Sequence, residues 1–343
     1  MYIYFLLIIF ICAARFLLKD EKKMNLFVCI ISFVLLSAVQ GFRGYEIGTD
    51  TYNYVSFFMV RESDSIILEK DTFFLALTNA IAKFTSSRTV YLTIIAMIQN
   101  ALIISSIYIL SKEAFISIIA YVTLYYYCNS FNILREYLSI SFALMGYALQ
   151  FKKKLPLSIL FYFAAVFIHG TGIIGIVLFV SYYLEEHISK KNVLTMAIAM
   201  CVCALFFTSY FRTFSWFLLS SSQYFDIYVD SELFMEYKGF RDIVVNAVIL
   251  ICYISIVNKP KYKFMSLCCL FVSIMTICGT GFIRVLYFFD IFNIFILDEI
   301  WTSLDPVKSR NMIRCALLII LVAFFFYLLS GNVMRVKDYT FAF

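Results

Sequence analysis

Apolar residues follow one another in long runs along almost the whole chain. Candidate segments cover residues 1–18, 24–40, 89–110, 114–130, 136–151, 155–168, 171–184, 192–211, 242–258, 263–280, 282–300 and 312–330. Most are roughly 15–22 residues long, the length that carries an α-helix across a bilayer. The alternating ten-residue segments of a membrane β-barrel are not seen. The pattern predicts an all-α, polytopic integral membrane protein. It is a single membrane domain over 1–343 with about 12 transmembrane helices. The first run has no positive leader and no small-residue cleavage site after Leu18. It therefore reads as a retained helix and not as a signal peptide.

Short cationic loops orient these segments. "KDEKK" (19–23), "KKK" (152–154), "SKK" (189–191), "KPKYK" (259–263) and "KSRNMIR" (308–314) should all face the cytoplasm. One arrangement satisfies all five, with both termini on the outer face. Residues 41–88 then form an outer loop in which 71–84 is a short interfacial or re-entrant helix, and 155–184 becomes a tight hairpin turning at "HGTG". Residues 212–240 form a second outer loop. The alternative makes 71–88 a full span and 155–184 a single helix. It pushes "KKK" to the outer face, against the charge rule.

Composition strengthens the membrane reading. The chain is 63% hydrophobic and 15% charged, with a mean hydropathy of +0.90. Soluble domains carry about 25% charged residues. The net charge of +6 is accounted for by the inner loops and needs no nucleic acid. Ten cysteines lie in or beside the apolar runs, with only two histidines in the chain. They read as small packing residues, and no metal-ligand set can be assembled.

This topology gathers the remaining polar groups at the outer end, which predicts an outward-facing active-site cavity. In "FNILREYLS", Asn132, Arg135, Glu136 and Ser139 share one helix face by their i, i+3, i+4, i+7 spacing. Arg135 there either snorkels to the headgroups or pairs or binds a ligand. His169 interrupts an apolar stretch between Ile168 and Gly170. It is either a proton shuttle or a packed, hydrogen-bonded core histidine. Arg284, after "GTG", suits an anion at a helix start, while Asp290 reads as structural. Arg43 and Asp50 sit in one short loop, "GFRGYEIGTDTYNYVSFF", with Tyr54 close behind. Arginine grips phosphate bidentately, and aromatic rings offer flat faces to sugars or lipid chains. No phosphate-binding loop or nucleophile elbow is present, so any chemistry should run without a metal, nucleotide or other cofactor.

On these residues the chain resembles a known family. "FRGYEIGTDTYNY" resembles the signature of the EpsG branch of Wzy-type polysaccharide polymerases: an arginine, a short gap, Gly-Thr-Asp, then a tyrosine. "FNILREYLSISF" is similar to the family's Phe-Asn-x-x-Arg-(Gln/Glu) helix start, "FIHGTGIIG" to its Phe-His-x-Ser-Ala-Leu segment and "FIRVLYFF" to its arginine-led aromatic helix. The matches run in order over roughly residues 1 to 300. The departures are Ile168 before the histidine, Gly170-Thr171-Gly172 after it, and Glu136 where glutamine is common.

The resemblance implies a polymerase at the outer face of the bacterial inner membrane. Such a protein transfers a growing glycan from undecaprenyl pyrophosphate to the non-reducing end of a new lipid-linked repeat unit. Its implied partners are that lipid-linked oligosaccharide, a chain-length regulator and a flippase. Arg135 and Arg284 are then expected to hold the pyrophosphate. His169 or Asp50 takes the acceptor proton, and Arg43, Asn132, Glu136 and Tyr54 contact or shape the substrate site. Asp50 as a loop anchor stands beside Asp50 as a base. Three rival functions are a lipid-linked oligosaccharide flippase, an O-antigen ligase and a membrane acyltransferase. Against the flippase stand the lack of an internal repeat and the clustering of polar groups away from the midplane.

Overall fold

The computed structural model describes residues 1–17, 20–60, 71–203, 240–277, 282–304, 309–332 and 334–342. Among them every regular element is a helix, and the one β-bridge joins Arg43 to Phe341. The expected outer loop at 212–240 lies outside the described residues except for Phe240, as does the "GTG" at 279–281. The chain divides into two compact units. Unit 1 holds Met1–Phe179 and Asp305–Phe343, and unit 2 holds Val180–Leu304.

Unit 1 begins with α1 (Tyr2–Phe16) and α2 (Glu21–Gly41). Asp20 caps α2 by accepting the Lys23 N–H at 3.0 Å, which satisfies one of the orphan donors of the first turn. Next come α3 (Thr51–Val60), α4 (Thr72–Phe84) and α5 (Arg88–Leu110). Ser87 caps α5 by accepting the Val90 N–H. The apolar run 114–130 is two helices, α6 (Ala114–Thr123) and α7 (Tyr126–Asn129). Tyr125 between them takes a left-handed φ of 74°, which ends α6. Then follow α8 (Leu134–Phe151), α9 (Leu155–Ile168), a 3-10 turn (Gly170–Ile174) and α10 (Gly175–Leu184), whose second half, from Val180, is counted in unit 2. The last helix of the unit is α16 (Arg310–Gly331).

Three of these, α2, α5 and α16, are long and apolar enough to cross a membrane. The other apolar helices have 10–17 residues, shorter than the roughly 20 that a straight crossing needs. One pair solves this by folding back. The Tyr162 ring lies edge-on to Phe179 at 5.8 Å, and Gln150 Nε2 at the end of α8 donates to the Phe179 carbonyl. So α10 retraces α9, in a hairpin that turns at the histidine.

The ends of unit 1 can be told apart. At one end Arg15 pairs with Glu113 at 3.2 Å, and Asn25 bonds Lys112 and Ala114. At the other end the chain terminus and the 42–50 loop meet. The Met1 ammonium donates to the Lys337 carbonyl at 2.7 Å, and Tyr4 donates to the Val336 carbonyl. Gly44 N–H donates to Thr340, Gly48 N–H to Arg335, and Ala342 N–H to Phe42. Helix α4 starts and finishes at this second end. Asp71, before its first residue, bonds Arg135. Just past its last turn, the Arg88 guanidinium stands 5.4 Å from the Tyr45 ring centroid.

Unit 2 contains α11 (helical over 190–203), α12 (Phe240–Ile256), α13 (Lys263–Met275), α14 (Phe282–Asp290) and α15 (Asn293–Ser303). The run 282–300 tightens to i→i+3 hydrogen bonding around Ile291 and Phe292, which separates α14 from α15. Just past α10, the buried Glu185 accepts the Phe264 and Met265 N–H groups and so closes the N-terminus of α13. Burial pushes its carboxyl up to about 7, against the pull of those N–H groups and of Lys263. A folded value above the unfolded one gives stability that is present at acid pH and lost as pH rises through about 7. Thermal stability in detergent should therefore fall between about pH 5 and pH 8, and Glu185→Gln should flatten that dependence. A Glu185→Gln profile that parallels the wild type would show that another group is responsible.

Candidate functional site

The 42–50 loop is held by the residues just before α8. Asn132 Oδ1 accepts the Thr49 hydroxyl at 2.9 Å and also the Thr49 N–H. Gly48 at φ +94° makes the sharp turn that brings Thr49 there. A Cβ on Gly48 would sit 2.8 Å from Thr51 Oγ1 and 3.1 Å from Asn132 Oδ1. Arg43 is fully buried. Its Nε donates to Thr51 Oγ1 at 3.2 Å, one Nη to the Gln40 carbonyl, and the other to the Phe131 carbonyl at 3.3 Å. The Phe131 ring covers it at 5.0 Å. Burial pulls the guanidinium down to about 10, so it stays charged at neutral pH. Such an arginine staples the loop to the end of α2 and to the backbone just after α7.

Arg135 behaves differently. It stands in the first turn of α8 with its side chain 18% exposed. Nη1 donates to Asp71 Oδ2 at 2.6 Å, and the guanidinium lies 6.0 Å from the Tyr54 ring centroid. Tyr54 in turn packs edge-on against Phe74 of α4. Asp71 also accepts the Gly170 N–H. Burial pushes the Asp71 carboxyl up, while Arg135 and Gly170 pull it down. One carboxylate therefore ties three segments together: the start of α4, the start of α8 and the histidine turn.

The turn itself is set by close packing. Ser139, one helical turn beyond Arg135, donates to the Ala165 carbonyl at 2.7 Å. A Cβ on Gly172 would run into that carbonyl and lie 2.7 Å from Ser139 Oγ, so only glycine fits. His169 accepts the Thr171 N–H at Nδ1 (3.2 Å), with Thr171 Oγ1 at 2.8 Å from the same nitrogen. An N–H can only donate, so the neutral imidazole carries its proton on Nε2.

A family model described as the EpsG family matches residues 26–341. The chain belongs to the EpsG family. The match covers all eight candidate residues and the tail that packs on the 42–50 loop. Membership points to a polysaccharide-polymerase type of membrane protein. Comparison with curated proteins and with solved structures finds no match.

In this EpsG-family chain, Arg135, Tyr54 and the His169 turn come together around Asp71, and Asn132 and Arg43 hold the neighbouring loop. Asp50 is half-buried just before α3, and its carbonyl accepts the Tyr54 N–H at 3.2 Å. Glu136 is buried within α8. Arg284 belongs to unit 2, half-buried in the first turn of α14. Six residues on, Asp290 accepts Asn246 Nδ2 at 2.9 Å, and Asn246 Oδ1 accepts Asn293 Nδ2 at 2.8 Å. Asp71 was not among the sequence candidates. Its signal is a carboxylate directly before the amphipathic 72–84 segment.

Proposed function

We propose that this protein is a polymerase that joins lipid-linked oligosaccharide repeat units at the outer face of the bacterial inner membrane. It crosses the membrane about twelve times with both termini outside. The growing glycan leaves undecaprenyl pyrophosphate and passes to the non-reducing end of a new unit. The observation that carries this reading is the partly exposed Arg135, fixed between Asp71 and Tyr54 in a chain of the EpsG family.

The chemistry asks for a cation where the pyrophosphate departs. A guanidinium offers five donors in a planar fork, so Arg135 can keep Asp71 and meet phosphoryl oxygens as well. Because it is held before substrate arrives, it needs little reorganisation as charge develops. The acceptor hydroxyl must lose a proton, and His169 or Asp50 is the base. The Thr171 contact favours Asp50: it occupies the Nδ1 lone pair and leaves Nε2–H as a donor. His169 then steadies a phosphoryl or sugar oxygen.

Glutamine reproduces the Nε2–H donor but not a base. His169→Gln should therefore keep activity within about tenfold of wild type while His169→Ala falls further. Equal loss in both would return the base role to His169. Deleting the gene should leave single repeat units with no ladder of long chains, read by gel banding of the surface polysaccharide. A ladder that persists ends the polymerase reading. A strain that lacks even single units points to a flippase, and free polymer that is never joined to lipid A core points to a ligase.

A further inference from the structure

A recess lies on the side of α3 away from the Asp71–Arg135 cluster. Its volume is about 710 Å³, within the range of small-molecule sites. Tyr52, Val55, Ser56 and Met59 line it. Their i, i+3, i+4, i+7 spacing makes them one face of α3. Tyr54, two residues from Tyr52, points away to Phe74 and Arg135. Helix α3 is thus a partition about one helix diameter thick, roughly 10 Å, between this recess and the Asp71–Arg135 cluster.

The other walls come from distant parts of the chain. Tyr45 and Glu46 belong to the 42–50 loop, Arg88 to the start of α5, and Thr340 and Phe341 to the C-terminal tail. The tail is held in place by backbone bonds from Gly44 N–H to Thr340 and from Ala342 N–H to Phe42. A side chain on Gly44 would run into Thr340, so the wall is close-packed against the loop. Two aromatic rings are presented outward, Tyr52 at 68% and Phe341 at 46% exposure. Between the rings stand hydroxyls, a carboxylate and a guanidinium. Flat apolar faces alternating with donors and acceptors match the surface of a pyranose, which has apolar ring faces and a rim of hydroxyls. A lipid chain would leave Glu46, Ser56 and Arg88 without suitable partners.

We propose that this recess is a saccharide-binding subsite that holds oligosaccharide at a distance from the reacting pyrophosphate. The inference rests on the polymerase reading and deepens it. The occupant is either the growing chain or the incoming unit, and the two share one chemistry.

The test uses the full-length protein in detergent, with oligosaccharides released by partial acid hydrolysis of the strain's own surface polysaccharide. Binding is followed by saturation-transfer NMR and calorimetry. The wild type should bind. Tyr52→Ala, a truncation at an exposed position, should weaken binding roughly threefold to tenfold. Ser56→Trp, which fills the recess, should remove it, while Lys22→Ala, at an exposed position in the first turn of α2, should leave it. In cells, Tyr52→Ala should shorten the modal chain length if the growing chain is held. It should instead raise the acceptor concentration needed, at unchanged length, if the incoming unit is held. Either outcome supports the subsite. Unaltered binding in both Tyr52→Ala and Ser56→Trp overturns it. No binding by wild-type protein, together with a ladder lost on deletion, also overturns the subsite but leaves the polymerase reading intact. A ladder that survives deletion removes the polymerase reading whatever the binding result.

Discussion

Arg135→Ala should reduce polymer formation by about 100-fold or more, leaving single repeat units where the wild type makes a ladder. Two effects add. The cation proposed to meet the departing pyrophosphate is gone, and Asp71 is left in a largely buried place without its ion-pair partner. The second effect is structural, so a companion variant is needed. Asp71→Asn keeps Arg135 charged and keeps an acceptor for Gly170 N–H. If Arg135 acts as a cation on substrate, Asp71→Asn should retain measurably more activity than Arg135→Ala at a similar melting temperature. Arg135→Lys should fall between them, because an ammonium keeps the charge but loses the planar fork. A normal ladder from Arg135→Ala would remove this residue from the mechanism.

Gly172→Ala is expected to have the next largest effect, through packing alone. Its new methyl group meets the Ala165 carbonyl, which already accepts the Ser139 hydroxyl. That carbonyl is part of the α9 backbone and cannot step aside as a flexible side chain would. The hairpin must open instead, at a cost of about 1–3 kcal/mol or somewhat more. Opening it carries His169 away and pulls Gly170 N–H from Asp71. Gly170→Ala is the matched comparison, because nothing lies within 4 Å of a Cβ built there. Melting in detergent should drop clearly for Gly172→Ala and hardly move for Gly170→Ala. Equal melting temperatures would mean that the turn is looser than its geometry implies.

Much of the helical layout was legible in the hydropathy pattern. Residues 24–40, 89–110 and 312–330 stand out because each is long and holds at most one charged residue, and each lies within a long apolar helix. The fold-back at "HGTG" was legible too, since a histidine followed by Gly-Thr-Gly is a poor place to continue a buried helix. What local pattern could not carry was partnership. Asp71 and Arg135 are 64 residues apart, and no periodicity links a residue ahead of a short amphipathic helix to one on a distant helix. Direction was equally hidden. Arg43 and Arg135 look alike as outer-end cations, yet one is fully buried among carbonyls and the other keeps an exposed edge. Tyr125 gave no warning either, because a left-handed tyrosine inside an apolar run has no compositional mark.

The tail has a consequence for how the protein is made. The loop bearing Arg43 and Asp50 is anchored partly by backbone bonds to residues 335–342, which a ribosome adds about 290 residues later. During synthesis those carbonyls and N–H groups of the loop must wait for their partners. The site end of the molecule is then one of the last parts to reach its final form. A chain released just after α16 would carry all three of the long apolar helices described and still lack the clasp, and the cell would have a membrane-inserted protein with this loop unfastened.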